Sequence, residues 1–136
     1  MAEATVRSLV HRPAVEVALR DTLRSVARTL TEESVGLAVV TAPHGPGRGT
    51  RAAGVVSERD IVSALADGAD PDEVWAEDVM TADLAAATLD DTVVTVAHRM
   101  LDNEIRHLPV YDGEALVGVV SMRDALDAAL GVAVDR

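Results

Sequence analysis

The sequence contains no cysteine and no phenylalanine, and its only aromatic residues are Trp75 and Tyr111. The lack of cysteine excludes disulfide bonds, thiolate zinc sites and cysteine nucleophiles. The scarcity of aromatic rings disfavours proteins that bind single-stranded nucleic acid by stacking its bases. Hydrophobic residues still make up 49% of the 136 residues. We therefore expect a core built from Val, Leu and Ala.

Positive charge is also scarce, since 12 Lys and Arg face 23 Asp and Glu, which gives a net charge of −11. Such a chain repels phosphate backbones and anionic lipid surfaces, so we expect neither nucleic acid nor membrane as a partner. The first twenty residues lack an apolar signal core, and no apolar run reaches the length of a membrane span. These features predict a cytoplasmic protein. A small anionic ligand remains compatible with them, because a local site can be positive on an acidic protein.

Motifs of common enzyme classes are missing from the sequence. It contains no Gly-x-Ser-x-Gly, no P-loop and no Gly-x-Gly-x-x-Gly. Its histidines do not pair with an acid at a spacing typical of metal ligands. We therefore expect no catalysis, no metal and no required cofactor. The histidines are His11, His44, His98 and His107.

What the sequence does contain is a repeat. The stretch Gly54 to Asp60, Gly-Val-Val-Ser-Glu-Arg-Asp, returns as Gly-Val-Val-Ser-Met-Arg-Asp at Gly118 to Asp124. Each copy is an apolar run followed by a polar break and a helical pattern. Asp21-Thr22 likewise recurs as Asp91-Thr92. The repetition predicts two copies of one structural unit.

Each copy has the pattern short strand, helix, strand, strand, helix. Residues 1–8 are predicted to be a loosely ordered lead, and the Gly- and Pro-rich residues 42–53 a loop. In the second half, Asp90 or Asp91 is expected to cap the first helix, and Asp112-Gly113 to form a hairpin turn. The predicted helices start at 21, 57, 91 and 121, and the paired strands are 35–41 with 54–56 and 108–111 with 116–120.

The repeated motif, together with Asp78-Val79-Met80-Thr81 and Arg106-His107-Leu108-Pro109-Val110, resembles the cystathionine-β-synthase-type (CBS) domain family. The resemblance implies an α/β (α+β) fold in which two β-α-β-β-α repeats pack with pseudo-two-fold symmetry. The repeats are predicted at 5–66 and 79–131, with an acidic linker at 67–78.

The resemblance also implies a function. Clefts between two such repeats bind AMP, ADP, ATP, S-adenosylmethionine or NAD, and the pairs commonly form dimers. We therefore expect a stand-alone regulatory or sensor module that binds an adenosine-containing ligand and signals to a partner protein as a homodimer. The alternative is a ligand-free dimeric interaction protein.

Ser57 and Ser121 stand where a strand becomes a helix, so free amides and a hydroxyl meet there and suit a phosphate. The Asp three residues later can accept hydrogen bonds from ribose hydroxyls. The same Ser-x-x-Asp pattern is also that of a helix cap, which leaves a purely structural role open. The second copy is the better candidate, because Arg106 and His107 add positive character beside it. The full predicted ligand set is Val10, His11, Ser57, Arg59, Asp60, Met80, Thr81, Arg106, His107, Pro109, Ser121, Arg123 and Asp124.

Overall fold

The computed structural model describes residues 4–10, 13–82 and 85–131. The chain divides into two compact units. The first-half unit lies within residues 15–84, and the second-half unit combines the chain before residue 15 with the chain after residue 84. Each unit contains helices and a three-stranded sheet. The predicted mixed α/β class is confirmed.

The first-half unit has the strand order β1-β2-β3, with β1 parallel and β3 antiparallel to the central β2. Its core includes the buried face of α1, namely Val26 and Leu30, packed with Val40 and Val56 of the sheet. The elements are β1 Glu16–Ala18, α1 Leu23–Glu33, β2 Leu37–Pro43, β3 Thr50–Ser57, α2 Glu58–Ala66 and α3 Ala76–Val79.

The second-half unit repeats this arrangement with the strand order β4-β5-β6. The register shift between Val110 and Tyr111 of β5 matches the one between Val40 and Thr41 of β2. The two halves therefore share their irregularities as well as their topology. The elements are a 3-10 helix Val6–Ser8, β4 Ala87–Thr88, α4 Val93–Asp102, β5 His107–Asp112, β6 Ala115–Ser121 and α5 Met122–Ala129.

The caps of the first helix in each unit are threonines. Thr22 Oγ1 accepts from Ser25 N at 3.2 Å, and Thr92 Oγ1 accepts from Thr95 N at 3.1 Å. The expectation that Asp90 or Asp91 caps α4 was wrong. Asp91 instead accepts from Thr88 N at 2.9 Å and from Arg99 Nη1 at 3.0 Å. Burial opposes ionisation of Asp91, but these hydrogen bonds hold the pKa of its carboxyl below its ordinary value.

The predicted loop 42–53 is shorter than expected, because strands extend into both of its ends. Ala42 pairs with Arg51, and Pro43 pairs with Thr50, so that only residues 44–49 connect β2 to β3. Pairing supplies hydrogen-bond partners to this backbone. Gly45, Pro46, Gly47 and Gly49 stay in the connection, and only Pro43 enters a strand against its weak propensity. The predicted hairpin is confirmed, but its turn lies one residue later than expected: Asp112 pairs with Ala115, and Gly113-Glu114 connect the strands, with Gly113 at a φ of 61°.

A short segment closes the second-half unit, although it lies at the start of the chain. Val6 N donates to Asp91 O at 2.9 Å, and Arg7 N donates to Leu89 O at 3.0 Å. Val6 is fully buried in the core cluster of α4 and β5. The expectation of a loosely ordered lead was therefore wrong for residues 5–8.

An equivalent segment closes the first-half unit. Ala76 N donates to Asp21 O at 2.8 Å, and Glu77 N donates to Leu19 O at 2.9 Å. These bonds repeat those of the N-terminal segment, one for one. The segment before the first half thus packs on the second-half unit, and the segment between the halves packs on the first-half unit. The repeat limits 5–66 and 79–131 stay a prediction from sequence. Among the described residues, no helix combines the length and the apolar character that a membrane crossing requires.

Leu9→Ala is expected to lower the free energy of unfolding by about 2–5 kcal/mol, because Leu9 is buried in the second-half core. Its matched control is Arg7→Ala, which removes an exposed ion pair to Asp90 and should cost less than about 1 kcal/mol. Urea unfolding of the full chain measures both. Equal and negligible losses would contradict a structural role for the N-terminal segment.

Candidate functional site

The second-half junction, where β6 ends at Ser121 and α5 begins at Met122, brings predicted site residues together. Ser121 Oγ accepts from Asp124 N at 3.0 Å. His107 lies opposite Ser121 in the sheet register, and Met122 N donates to Arg106 O at 2.8 Å. Residues at the start of β5, at the end of β6 and at the start of α5 thus meet at one end of the sheet.

The charge at this junction is partly shielded from water. Asp124 is only 8% exposed, and it is the one charged residue in the buried class among the described residues. Burial lowers the pKa of the half-buried His107; the nearby Asp124 acts to raise it, and Arg106 acts to lower it. His107 is therefore neutral at pH 7, so its ring offers one donor and one acceptor. The expectation that His107 adds positive character was wrong, because burial disfavours the charged ring.

The first-half junction, where β3 ends at Ser57 and α2 begins at Glu58, is a complete capping box. Asp60 N donates to Ser57 Oγ at 3.1 Å, and Ser57 N donates to Asp60 Oδ2 at 2.8 Å. Glu58 N donates to Gly36 O at 3.0 Å, which is the counterpart of the bond from Met122 to Arg106. Capping accounts locally for both side chains of the first motif.

Met80 and Thr81 lie beside the first-half motif, although the sequence places them at the start of the second half. Thr81 N donates to Val55 O at 2.9 Å, and Val55 N donates to Thr81 O at 3.1 Å. A Cβ on Gly54 would lie 2.7 Å from Thr81 O and 2.8 Å from Met80 Sδ. Glycine is required at 54 because the segment approaches β3 so closely.

The other predicted residues are divided among several environments. Val10 packs, partly buried, against the second-half core. Pro109 is fully buried opposite Val119 in the sheet, and its role in ligand binding stays a prediction. Arg59 and Arg123 are exposed. His11 lies outside the described residues.

Sequence reasoning passed over one position, the first residue of the junction helix. Glu58 and Met122 mark the single difference between the two seven-residue motifs. This mismatch is the one signal in the motif that the two junctions differ in side-chain charge. Within the described ranges, no three His, Asp or Glu side chains are grouped to hold a metal ion.

The family model of the CBS domain matches residues 6–67 and 76–131. The chain belongs to the CBS domain family. Its two matched segments cover most of both halves, as the repeat in the sequence predicts.

Two curated relatives illustrate the range of the family. The mitochondrial CBS domain-containing protein CBSX3 of Arabidopsis thaliana is 30% identical over 113 residues, which cover 81% of this chain and 53% of the relative. This chain thus spans about half the length of that CBS protein. An uncharacterized 17.7 kDa protein of Acidianus ambivalens is 35% identical, over 95% of this chain and 71% of the relative.

A solved CBS structure shows the same fold. It is a CBS domain protein from Pyrobaculum aerophilum complexed with AMP, and it is 35% identical to this chain. The superposition covers 93% of this chain and 98% of that one, with a TM-score of 0.78. The predicted CBS resemblance is confirmed.

Acidification is expected to destabilise the protein through His107. Because the pKa of His107 is lower in the folded chain than its unfolded value of about 6.5, its favourable contribution is present above pH ~6.5 and is lost as pH falls toward the folded pKa. His107→Gln should therefore flatten the fall in melting temperature between about pH 7.5 and 5.5.

The control is His98→Gln, which makes the same change at an exposed position on α4. Thermal melts at matched ionic strength measure all three proteins. Parallel curves for the wild type and His107→Gln would contradict a buried, neutral His107.

Proposed function

We propose that this CBS protein is a regulatory module that binds an adenosine-containing ligand of the AMP, ADP, ATP, S-adenosylmethionine or NAD type, and passes its occupancy to a partner protein. The second-half junction is the principal site. The relative from Pyrobaculum aerophilum supports the ligand class, since it is complexed with AMP and is 35% identical to this chain over nearly its whole length.

The observation that carries the proposal is the buried carboxylate of Asp124 at the start of α5. A nucleotide needs hydrogen-bond acceptors for its ribose hydroxyls and donors for its phosphate. Asp124 supplies the acceptor. The Ser121 hydroxyl and the Arg106 guanidinium supply the donors, and the helix dipole favours an anion there.

The module acts by binding, not by transforming its ligand. Its regulatory effect then comes from the difference in affinity between two states of the protein or of its partner. Incubation with ATP and chromatography of the nucleotides checks this part, with unchanged ATP as the expected result. Turnover to ADP or AMP would contradict it.

Binding of AMP to the second-half junction should raise the free energy of unfolding by about 2.7 kcal/mol at a hundredfold excess over Kd. Asp124→Asn is expected to abolish this gain. The amide keeps the shape of the carboxyl but has only one oxygen, so it cannot accept hydrogen bonds from both ribose hydroxyls. The measurement is a thermal-shift series with AMP, ADP, ATP, S-adenosylmethionine and NAD, followed by calorimetric titration of the ligand that shifts most.

Asp60→Asn is the matched control, because it makes the same change in the first-half motif. It should leave the stabilisation by AMP intact and cost about 1 kcal/mol through the weakened capping box. Loss of binding in Asp60→Asn alone would move the principal site to the first half. No response of the wild type to any of the five ligands would refute the proposal.

A second candidate function, a dimeric interaction protein, is favoured by exposed apolar side chains on two adjacent helices. Val94 and Leu101 of α4, Leu126 of α5 and Leu130 just after α5 are each at least half exposed, and α4 packs beside α5. Arg24 and Thr31 occupy the positions on α1 that correspond to Val94 and Leu101. On the first-half unit α2 also exposes Val62 and Leu65, but α1 is polar at both positions, so only the second-half unit carries exposed apolar side chains on both helices. We propose that a second copy of the chain covers that second-half face.

Leu101→Glu combined with Leu126→Glu should convert the dimer into a monomer, because both substitutions place charge in the buried interface. The control is Thr31→Glu, at the position on α1 that corresponds to Leu101. Light scattering coupled to size exclusion measures the mass of each protein. A wild type that elutes as a monomer would contradict the dimer. A dimer whose mass and melting temperature do not change with any of the nucleotides would favour this candidate over the ligand-binding module.

A further inference from the structure

The two junctions have the same backbone frame but opposite formal charge. In each, the first amide of the helix donates to the residue before the central strand, from Glu58 N to Gly36 O and from Met122 N to Arg106 O. Each Ser accepts from the amide of its Asp at 3.0–3.1 Å. Any difference in what the junctions bind must therefore come from side chains.

The first-half junction is negative. It carries the carboxylates of Glu58 and Asp60 against the single guanidinium of Arg59, and Gly36 supplies no side chain. The Glu58 carboxylate turns toward Gly36, since its Oε2 lies 3.7 Å from the position of a Cβ on that glycine. An acid thus occupies the edge where the second half has Arg106.

The second-half junction is positive. It carries the guanidiniums of Arg106 and Arg123 against the carboxylate of Asp124, and the uncharged Met122 replaces the acid at the first helical position. His107 adds a neutral ring beside Ser121. A dianionic phosphate meets two cations here and none of the repulsion that Glu58 would cause.

The carboxylate of Asp60 is also partly engaged within its own junction. Ser57 N donates to its Oδ2 at 2.8 Å, so one oxygen is already engaged in the capping box. A ribose would compete with that bond. The negative charge and the capping bond therefore both disfavour a nucleotide at the first-half junction.

We propose that the two junctions discriminate by charge: the second-half junction selects the phosphate-bearing form of the ligand through Arg106 and the uncharged Met122, and the first-half junction rejects phosphate through Glu58. The inference rests on the proposed function and deepens it. The module then binds a nucleoside monophosphate in preference to the uncharged nucleoside. This selectivity resides in the second-half motif.

The test is a calorimetric titration of the full chain with AMP and with adenosine. The wild type should bind AMP at least about tenfold more tightly than adenosine at low salt, and the ratio should shrink as salt screens the charges. Met122→Glu, which transfers the first-half acid to the second half, should weaken AMP binding about tenfold and leave the affinity for adenosine within about twofold.

Glu58→Met is the matched reciprocal variant, and it should leave the principal AMP affinity within about twofold. Arg106→Gln provides an independent check and should weaken AMP binding without weakening adenosine binding. Equal wild-type affinities for AMP and adenosine, or equal losses of both in Met122→Glu, would overturn the charge selection while leaving adenosine binding in place. A wild type that binds neither compound would overturn the proposed function itself.

Discussion

The structure depends on one repeated contact, the docking of a short segment onto the turn between the first strand and the first helix of each unit. Val6 N bonds to Asp91 O at 2.9 Å, and Ala76 N bonds to Asp21 O at 2.8 Å. Each bond satisfies a backbone carbonyl at a helix start and buries a small or β-branched residue beneath it. The docked segment thus closes one side of each core.

The strand-to-helix junctions depend on the same framework. Thr81 is bonded to Val55 in both directions, which holds Met80 against Gly54 and fixes the strand that ends at Ser57. A serine placed at the end of such a strand must serve as a cap, because the following amides have no other partner within the helix. Capping and ligand binding are therefore not competing explanations of Ser121. The cap orients the first turn, and the residues around it decide whether that turn meets an anion.

Much of the fold could be predicted from the sequence, because its signals are local. The apolar spacing of Leu23, Val26 and Leu30 and the duplicated Ser-x-x-Asp follow directly from helix periodicity and capping. The limits of β2 and β3 could not be predicted, since the pairing of Pro43 with Thr50 depends on a partner strand and not on local propensity. The docking of residues 4–9 was missed for the same reason, as was the contrast between Glu58 and Met122, which acquires meaning only beside Gly36 and Arg106.

The position of the N-terminal segment has a consequence for the order in which the protein folds during synthesis. Residues 15–82 contain every element of the first-half unit, so all of its strands and helices have been made before β4 leaves the ribosome. Residues 4–9 are made before that unit, but Val6 and Leu9 belong to a core that requires the turn at 89–93 and helix α4, which are made later. Val6 and Leu9 thus precede the first-half unit in the chain but are buried only after that unit has been made, and truncation anywhere before α4 leaves them without a core.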